Sequence, residues 1–176
     1  MITIGLVSDT HGLVRPAIAD IFRGVAMILH AGDVGGAAVL AALNAIAPTQ
    51  AVYGNVDDPR DPALARERVV TIGGVTIHVS HGHEIGRPTP ELVAARYASS
   101  GNDVLVFGHT HRAVVLKAVA ARVVQARDRG PERVAPHPVL VVNPGAAGPR
   151  RFDVVPSVAL LTIADGAAEC EVISLA

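Results

Sequence analysis

Seven side chains of this chain are of the types that hold hard or borderline metal ions, and each follows a short apolar run: Asp9, His11, Asp33, Asn55, His81, His109 and His111. Carboxylate, amide and imidazole without thiolate suit Mn, Fe, Co, Ni or Zn rather than a cysteine-type structural zinc site. Seven donors exceed what one ion takes. With one carboxylate shared, they suit two ions about 3.5–4 Å apart, the arrangement of two-metal hydrolases. Asp9 and His11 are two apart, as are His109 and His111. An extended backbone would point both members of each pair to one side.

The elements that must place these groups repeat one pattern, a β-rich apolar run followed by a polar, glycine-bearing turn. Runs at 2–7, 27–31, 51–53, 75–80, 104–107 and 139–142 lead into Asp9-Thr10-His11, Gly32-Asp33, Gly54-Asn55-Val56-Asp57, His81-Gly82-His83, Gly108-His109-Thr110-His111 and Asn143-Pro144-Gly145. Helices are predicted over 16–23, 36–47 and 90–100, the last opened by Thr89 as N-cap with Pro90 at the first helical position. Gly73-Gly74 reads as a two-residue hairpin turn. Strands alternating with helices give an α/β fold. Runs at 158–162 and 170–175 lack intervening helices, so the sheets are mixed, two of them face to face between helices. The arginine-bearing segment 118–138 reads as a hairpin or loop insertion with a solvated face. In open α/β sheets ligands bind beyond the carboxyl ends of strands, where all seven donors fall.

The chain has 176 residues, 50% hydrophobic and 18% charged. That is one domain, 1–176, and it excludes disorder. Charged and glycine residues interrupt every apolar run before the roughly 20 residues that span a bilayer. The N-terminus reads as a strand without a basic leader, so a cytoplasmic location is expected. Net charge is -1 and aromatics are 3%, which argues against long nucleic acid and anionic membrane as partners. Cys170 is the sole cysteine, so no internal disulfide forms. His30 and His78 lie inside apolar runs and read as core histidines; His137, between two prolines, reads as a loop residue.

The ordered motifs Asp9-Thr10-His11, Gly32-Asp33-Val34, Gly54-Asn55-Val56-Asp57, His81-Gly82-His83, Gly108-His109-Thr110-His111 and Asn143-Pro144-Gly145 resemble those of calcineurin-like metallophosphoesterases, in the small bacterial and archaeal phosphodiesterase branch. The resemblance implies a four-layer αββα sandwich of two mixed β-sheets flanked by helices. It implies a phosphoesterase, a phosphodiesterase more than a phosphomonoesterase, in which a metal-bridging hydroxide attacks phosphorus in line. Asp9, His11, Asp33 and His111 would hold one divalent ion, and Asp33, Asn55, His81 and His109 the other. Manganese is the expected metal, with Ni, Co, Fe or Zn as alternatives.

Many relatives carry His where this chain has Val56. His83 is then the nearest candidate to protonate a leaving group. Asp57 is expected to support a neighbouring imidazole. Asn55 and Arg150, with Arg151 beside it, are expected to contact the substrate phosphate. The expected partner is a small phosphate ester, a nucleotide among the candidates; a homo-oligomer is left open. The alternative is a scaffold of the same fold, as in the retromer-coat subunit, which resembles this chain but lacks a metal-binding His after its first Asp.

Overall fold

Alternating burial on both faces of short strands dictates how this chain layers. The computed structural model describes residues 1–126, 130–151 and 153–175. In chain order it runs β1 (Ile2–Val7), α1 (Ala17–Ile21), β2 (Met27–His30), α2 (Ala37–Asn44), β3 (Thr49–Val52), β4 (Leu64–Ala65), β5 (Glu67–Ile72) and β6 (Val75–Ser80). A 3-10 turn at His83–Ile85 and α3 (Pro90–Tyr97) follow, then a 3-10 turn at Ala98–Ser100. The rest is strand: β7 (Val104–Val106), β8 (Val114–Ala126), β9 (Gly130–Asn143), β10 (Ser157–Ala164) and β11 (Ala167–Ser174).

One sheet has the order β11-β10-β1-β2-β3-β4, the other β5-β6-β7-β9-β8. Within them β1, β2 and β3 are parallel, and so are β6, β7 and β9; the flanking strands pair antiparallel, apart from β4, which runs parallel to β3. Ile4, Leu6, Leu29, Ile77, Val79, Val104 and Val106 fill the space between the sheets. Residues one step out of phase turn outward. Val7 and Ile28 meet Ile18 and Phe22 of the α1 region and Val39 and Leu43 of α2. Leu105, Val139 and Val141 meet Val93 and Tyr97 of α3. Strands apolar on both faces are what a buried parallel sheet requires, and the result is the α/β sandwich of two mixed sheets between helices.

The helices are shorter than their patterns predict. α2 stops at Asn44, whose side chain donates to Leu40 O and accepts the Thr49 N–H, drawing the chain out toward Pro48. The Thr89 cap does form, its hydroxyl accepting the Leu92 N–H. The Gly73-Gly74 turn has φ of 58° and 80°, both left-handed, as a tight hairpin needs. His137 sits in β9 rather than in a loop, its Nε2 3.3 Å from Asn102 O, because the β8–β9 pairing extends the strand through it.

His30 is fully buried and ties two turns together. The Gly32 N–H donates to its Nδ1, so Nε2 carries the proton and donates to Thr10 Oγ1 at 2.8 Å. Thr10 in turn donates to Val34 O at 2.8 Å. Desolvation by burial outweighs the nearby negative charge of Asp9 and Asp57 and lowers the His30 pKa from 6.5 to about 4. The unfolded chain therefore takes up this proton at a pH where the folded chain refuses it. The contribution of neutral His30 is full above pH 6.5 and is lost as pH falls toward 4. The whole effect is about 3 kcal/mol at about 1.4 kcal/mol per unit. Urea unfolding of metal-free protein across that window should show a steeper pH slope in wild type than in His30→Gln; parallel slopes would remove His30 as the cause.

Candidate metal centre

Each expected ligand sits just past the carboxyl end of a parallel strand: Asp9 and His11 after β1, Asp33 after β2, Asn55 after β3, His81 after β6, His109 and His111 after β7. Both sheets contribute, so the donors meet over the seam between them. The backbone there is unusual. Asp9, His11, Asp33, His109 and His111 all have left-handed φ, at 53°, 46°, 54°, 68° and 60°. Among the described residues the other non-glycine residue of this kind is Asp165, in the ordinary β10–β11 hairpin turn before Gly166. Such conformations cost about 1 kcal/mol or more each and collect at functional sites. They also correct the expectation of extended Asp9/His11 and His109/His111 pairs. The members of each pair converge because the turn coils left-handed.

Interlocking hydrogen bonds hold these turns. Asp9 N–H donates to Gly32 O, His11 N–H to Asp33 O and Gly12 N–H to Val34 O, each at 3.0 Å. Ala147 and Gly148 donate to Ser8 O and Asp9 O from the turn after β9. The turns pass so close that a Cβ on Gly54 would lie 2.0 Å from Asp33 Oδ1, and one on Gly32 2.6 Å from His81 Nδ1.

The donor atoms fall into two neighbouring groups. Asp9 Oδ2 accepts from the Ser8 hydroxyl at 2.6 Å and the His109 N–H at 3.1 Å. Its Oδ1 is buried with no hydrogen-bond partner, 3.3 Å from His111 Nε2. His11 Nε2 lies 3.4 Å from His111 Nε2 and 3.8 Å from Asp33 Oδ2. On the other side Asp33 Oδ1 is 3.4 Å from His81 Nε2. Asn55 Oδ1 is 3.2 Å from that same nitrogen and 3.1 Å from His109 Nδ1. The remaining ring nitrogens are anchored on carbonyls, His81 Nδ1 on Ala31 O and His109 Nε2 on Gly86 O. The carbonyls fix the tautomers, so lone pairs face carboxylate and amide oxygens across the site. Against the Asp33 carboxylate, acceptor facing acceptor is relieved only by a cation between them, a proton or a metal; at Asn55 a turn of the amide relieves it as well.

In the metal-free protein a proton serves. Burial opposes a charged His81, but its hydrogen bond to Asp33 and the charges of Asp9 and Asp33 outweigh that and raise its pKa. Burial likewise opposes a charged Asp33, and the same His81 contact with the Val56 N–H and His11 brings it down to about 2. His11 is lowered, burial prevailing over Asp33. The orphaned Asp9 Oδ1 and this oxygen and imidazole set fit divalent ions; Asp9, His11 and His111 form one ligand-competent cluster and Asp9, Asp33 and His81 another.

Other expected residues fare differently. Among the described residues Asp57 hydrogen-bonds to no imidazole. Its carboxylate accepts the N–H groups of Val34, Gly35 and Gly54 at 3.0, 2.9 and 2.9 Å, which binds the Asp33 turn to the Asn55 turn. His83 does stand beside the site, its ring centre 5.3 Å from that of His81 and 6.4 Å from that of His109. Its Nδ1 is 3.6 Å from Glu84 Oε2. Burial and then the charge of His81 lower its pKa, which works against storing a proton there. A cleft of about 370 Å³ opens over His11, Asp33, Asn55, His109 and His111, and Val56, Arg112, Arg151 and Val154 also line it. Arg150 is not among its lining residues; Arg151 is. Arg112 escapes sequence reading although it directly follows His111.

Two mixed sheets with aspartate and histidine donors over their seam are the layout of a metal-dependent phosphoesterase domain. The model of the calcineurin-like phosphoesterase superfamily domain matches residues 2–166, and the chain belongs to that superfamily. It is similar to a probable metallophosphoesterase of Methanothermobacter thermautotrophicus, 34% identical over 114 residues, 62% of this chain and 66% of that protein. It is similar also to one of Methanocaldococcus jannaschii, 36% identical over 115 residues, 61% of this chain and 58% of that protein. The matched stretch thus spans just under two thirds or less of each relative. Among solved structures, Vps29 of Chaetomium thermophilum superposes with a TM-score of 0.72 at 20% identity, over 99% of this chain and 97% of that one. A zinc complex of Entamoeba histolytica Vps29 gives 0.67 at 22%, over 98% and 99%. A metallophosphoesterase of Sphaerobacter thermophilus gives 0.56 at 19%, over 90% and 82%. These three share the fold.

Asp33 and Asp57 separate binding from support. Asp33→Asn should strip metal from the protein while leaving metal-free stability nearer wild type. Asp57→Asn should lower stability by about 2 kcal/mol, because three charge-assisted bonds to backbone N–H groups, two of them part-buried, are weakened. Elemental analysis and urea unfolding of both variants check this; a stable Asp57→Asn protein would deny that carboxylate its tying role.

Proposed function

We propose that this chain hydrolyses phosphate esters with two divalent metal ions, diesters in preference to monoesters, as a cytoplasmic enzyme acting on a small substrate. The observation that carries the reading is the orphaned, fully buried Asp9 Oδ1 amid five strained donors from three turns. Bound there, the two ions would lower the pKa of a water to give a nucleophile near pH 7 and would offset the charge of the phosphate. Asp33, with one oxygen toward His11 and the other toward His81, is the residue shared between them. The carbonyl anchors of His81 and His109 orient the two rings, so that each presents its other nitrogen to the site. With Asn55 Oδ1 turned to the imidazoles, its amide N–H groups are left to donate to a substrate oxygen. Manganese heads the candidate metals. Among the described residues no helix is long and apolar enough to cross a membrane.

The Vps29 neighbours fit the other reading, a scaffold that binds partner proteins. Metal content separates the two. Protein saturated with Mn should hold about two ions per chain and cleave bis(p-nitrophenyl) phosphate; a stoichiometry near zero, with the fold intact, would leave the scaffold.

His83 supplies a further test, since Val56 offers no proton. Across diesters graded by leaving-group pKa, His83→Ala should steepen the dependence of kcat/KM, costing about 10²-fold on alkyl leaving groups and little on nitrophenol. A uniform drop across the series would make His83 a phosphate-positioning residue and end its role as the acid.

A further inference from the structure

The cleft is lined by two arginines that have nothing to pair with. Arg112 and Arg151 both face it, and among the described residues neither guanidinium has a hydrogen bond or ion pair. Arginines elsewhere in the described chain find partners: Arg15 on Gly148 O, Arg23 on Asp20, Arg60 on Asp58, Arg68 on Ala51 O and Arg96 on the Tyr97 hydroxyl. Arg87 and Arg150 also stand alone, but they do not line the cleft. Arg151 is near enough to His11 for its charge to lower the pKa of that ring. Arg112 adjoins His111 in the chain. Both cations therefore stand at the His11–His111 end of the donor cluster. The backbone N–H of Arg112 lies 3.4 Å from Thr110 Oγ1, and the Arg151 carbonyl accepts the Val154 N–H at 3.2 Å, so each stem is rooted in a turn.

Asp9 and Asp33 do not pair with these cations; both point into the donor cluster. On the two-metal reading, on which this inference rests, the scissile phosphate is answered by the ions. Two exposed guanidinium groups that line one cleft, with no ion pair among the described residues, are free to take up an anion that enters it. Val56, 57% exposed, and Val154 also line the cleft, and they take an apolar or ring-like group rather than a charge. We infer that Arg112 and Arg151 form a subsite for a second anionic group of the substrate, so that the preferred ester carries a phosphate or carboxylate besides the one that is cleaved.

A matched pair of esters tests this: the p-nitrophenyl ester of thymidylate with its other sugar hydroxyl free or phosphorylated. Leaving group and scissile diester are the same, and only the second anion differs. Wild type should cleave the phosphorylated ester with about tenfold or greater kcat/KM. Arg112→Ala and Arg151→Ala should each cut that ratio about tenfold, and Arg151→Lys should restore part of it. Calorimetric binding of thymidine monophosphate and bisphosphate to the same proteins gives the ratio without turnover. A wild-type ratio near one, or a high ratio that neither alanine variant moves, overturns the subsite. Absence of turnover on both esters would instead overturn the phosphoesterase reading, and the binding ratio would then decide the subsite by itself.

Discussion

Left-handed backbone at five donor positions is the constraint from which this architecture follows. Asp9, His11, Asp33, His109 and His111 reach one another only because each turn reverses tightly at its own strand end. Such turns do not hold themselves. They persist because neighbouring turns share hydrogen bonds, Asp9 with Gly32, His11 with Asp33, Gly148 with Asp9. At about 1 kcal/mol or more each, five strained residues cost an amount comparable to the net stability of a small domain. The apolar layers on both sides of each sheet must outweigh that cost. This accounts for the fully buried Ile4, Leu6, Leu29, Ile77, Val104 and Val106 directly beneath the site.

Close approach is the second consequence. Gly32 and Gly54 leave no room for a Cβ against His81 and Asp33, so the imidazole and the Asp33 carboxylate rest on bare backbone. Asp57 then joins the Asp33 and Asn55 turns through three N–H groups. The motif Gly54-Asn55-Val56-Asp57 thus divides its labour. The glycine gives space, the asparagine faces the site, and the aspartate fixes the turn.

Much of this was legible in the sequence because it is written as local pattern. Strand β1 and the Gly73-Gly74 turn fall where apolar runs and turn chemistry put them, and the donors stand at strand ends as their spacing implied. What failed were inferences that needed tertiary knowledge. Periodicity cannot show that Asn44 ends α2 by bonding to Thr49. It cannot show that His11 lies in a left-handed turn, since Asp, His and Asn enter that region only when neighbours hold them there. Asp57 was misread because carboxylates support imidazoles and backbone N–H groups alike, and only the packing of two turns decides between them. Arg150 and Arg151 are indistinguishable in sequence, yet only the second faces the cleft.

The donors come from residues 9 to 111, and from both sheets. No hairpin, helix or single sheet brings together more than part of the set. A metal ion held by this set would therefore meet its full coordination only in the assembled molecule, after the slow, long-range strand pairings are made. It cannot nucleate folding as it does in small metal-clasped modules. It acts on the reverse step, because any opening that parts the two sheets must also give up the ion. Occupancy would thus become a brake on global unfolding, set by the ratio of free ion to its dissociation constant, while a local opening of the edge strand β11 would be untouched by it.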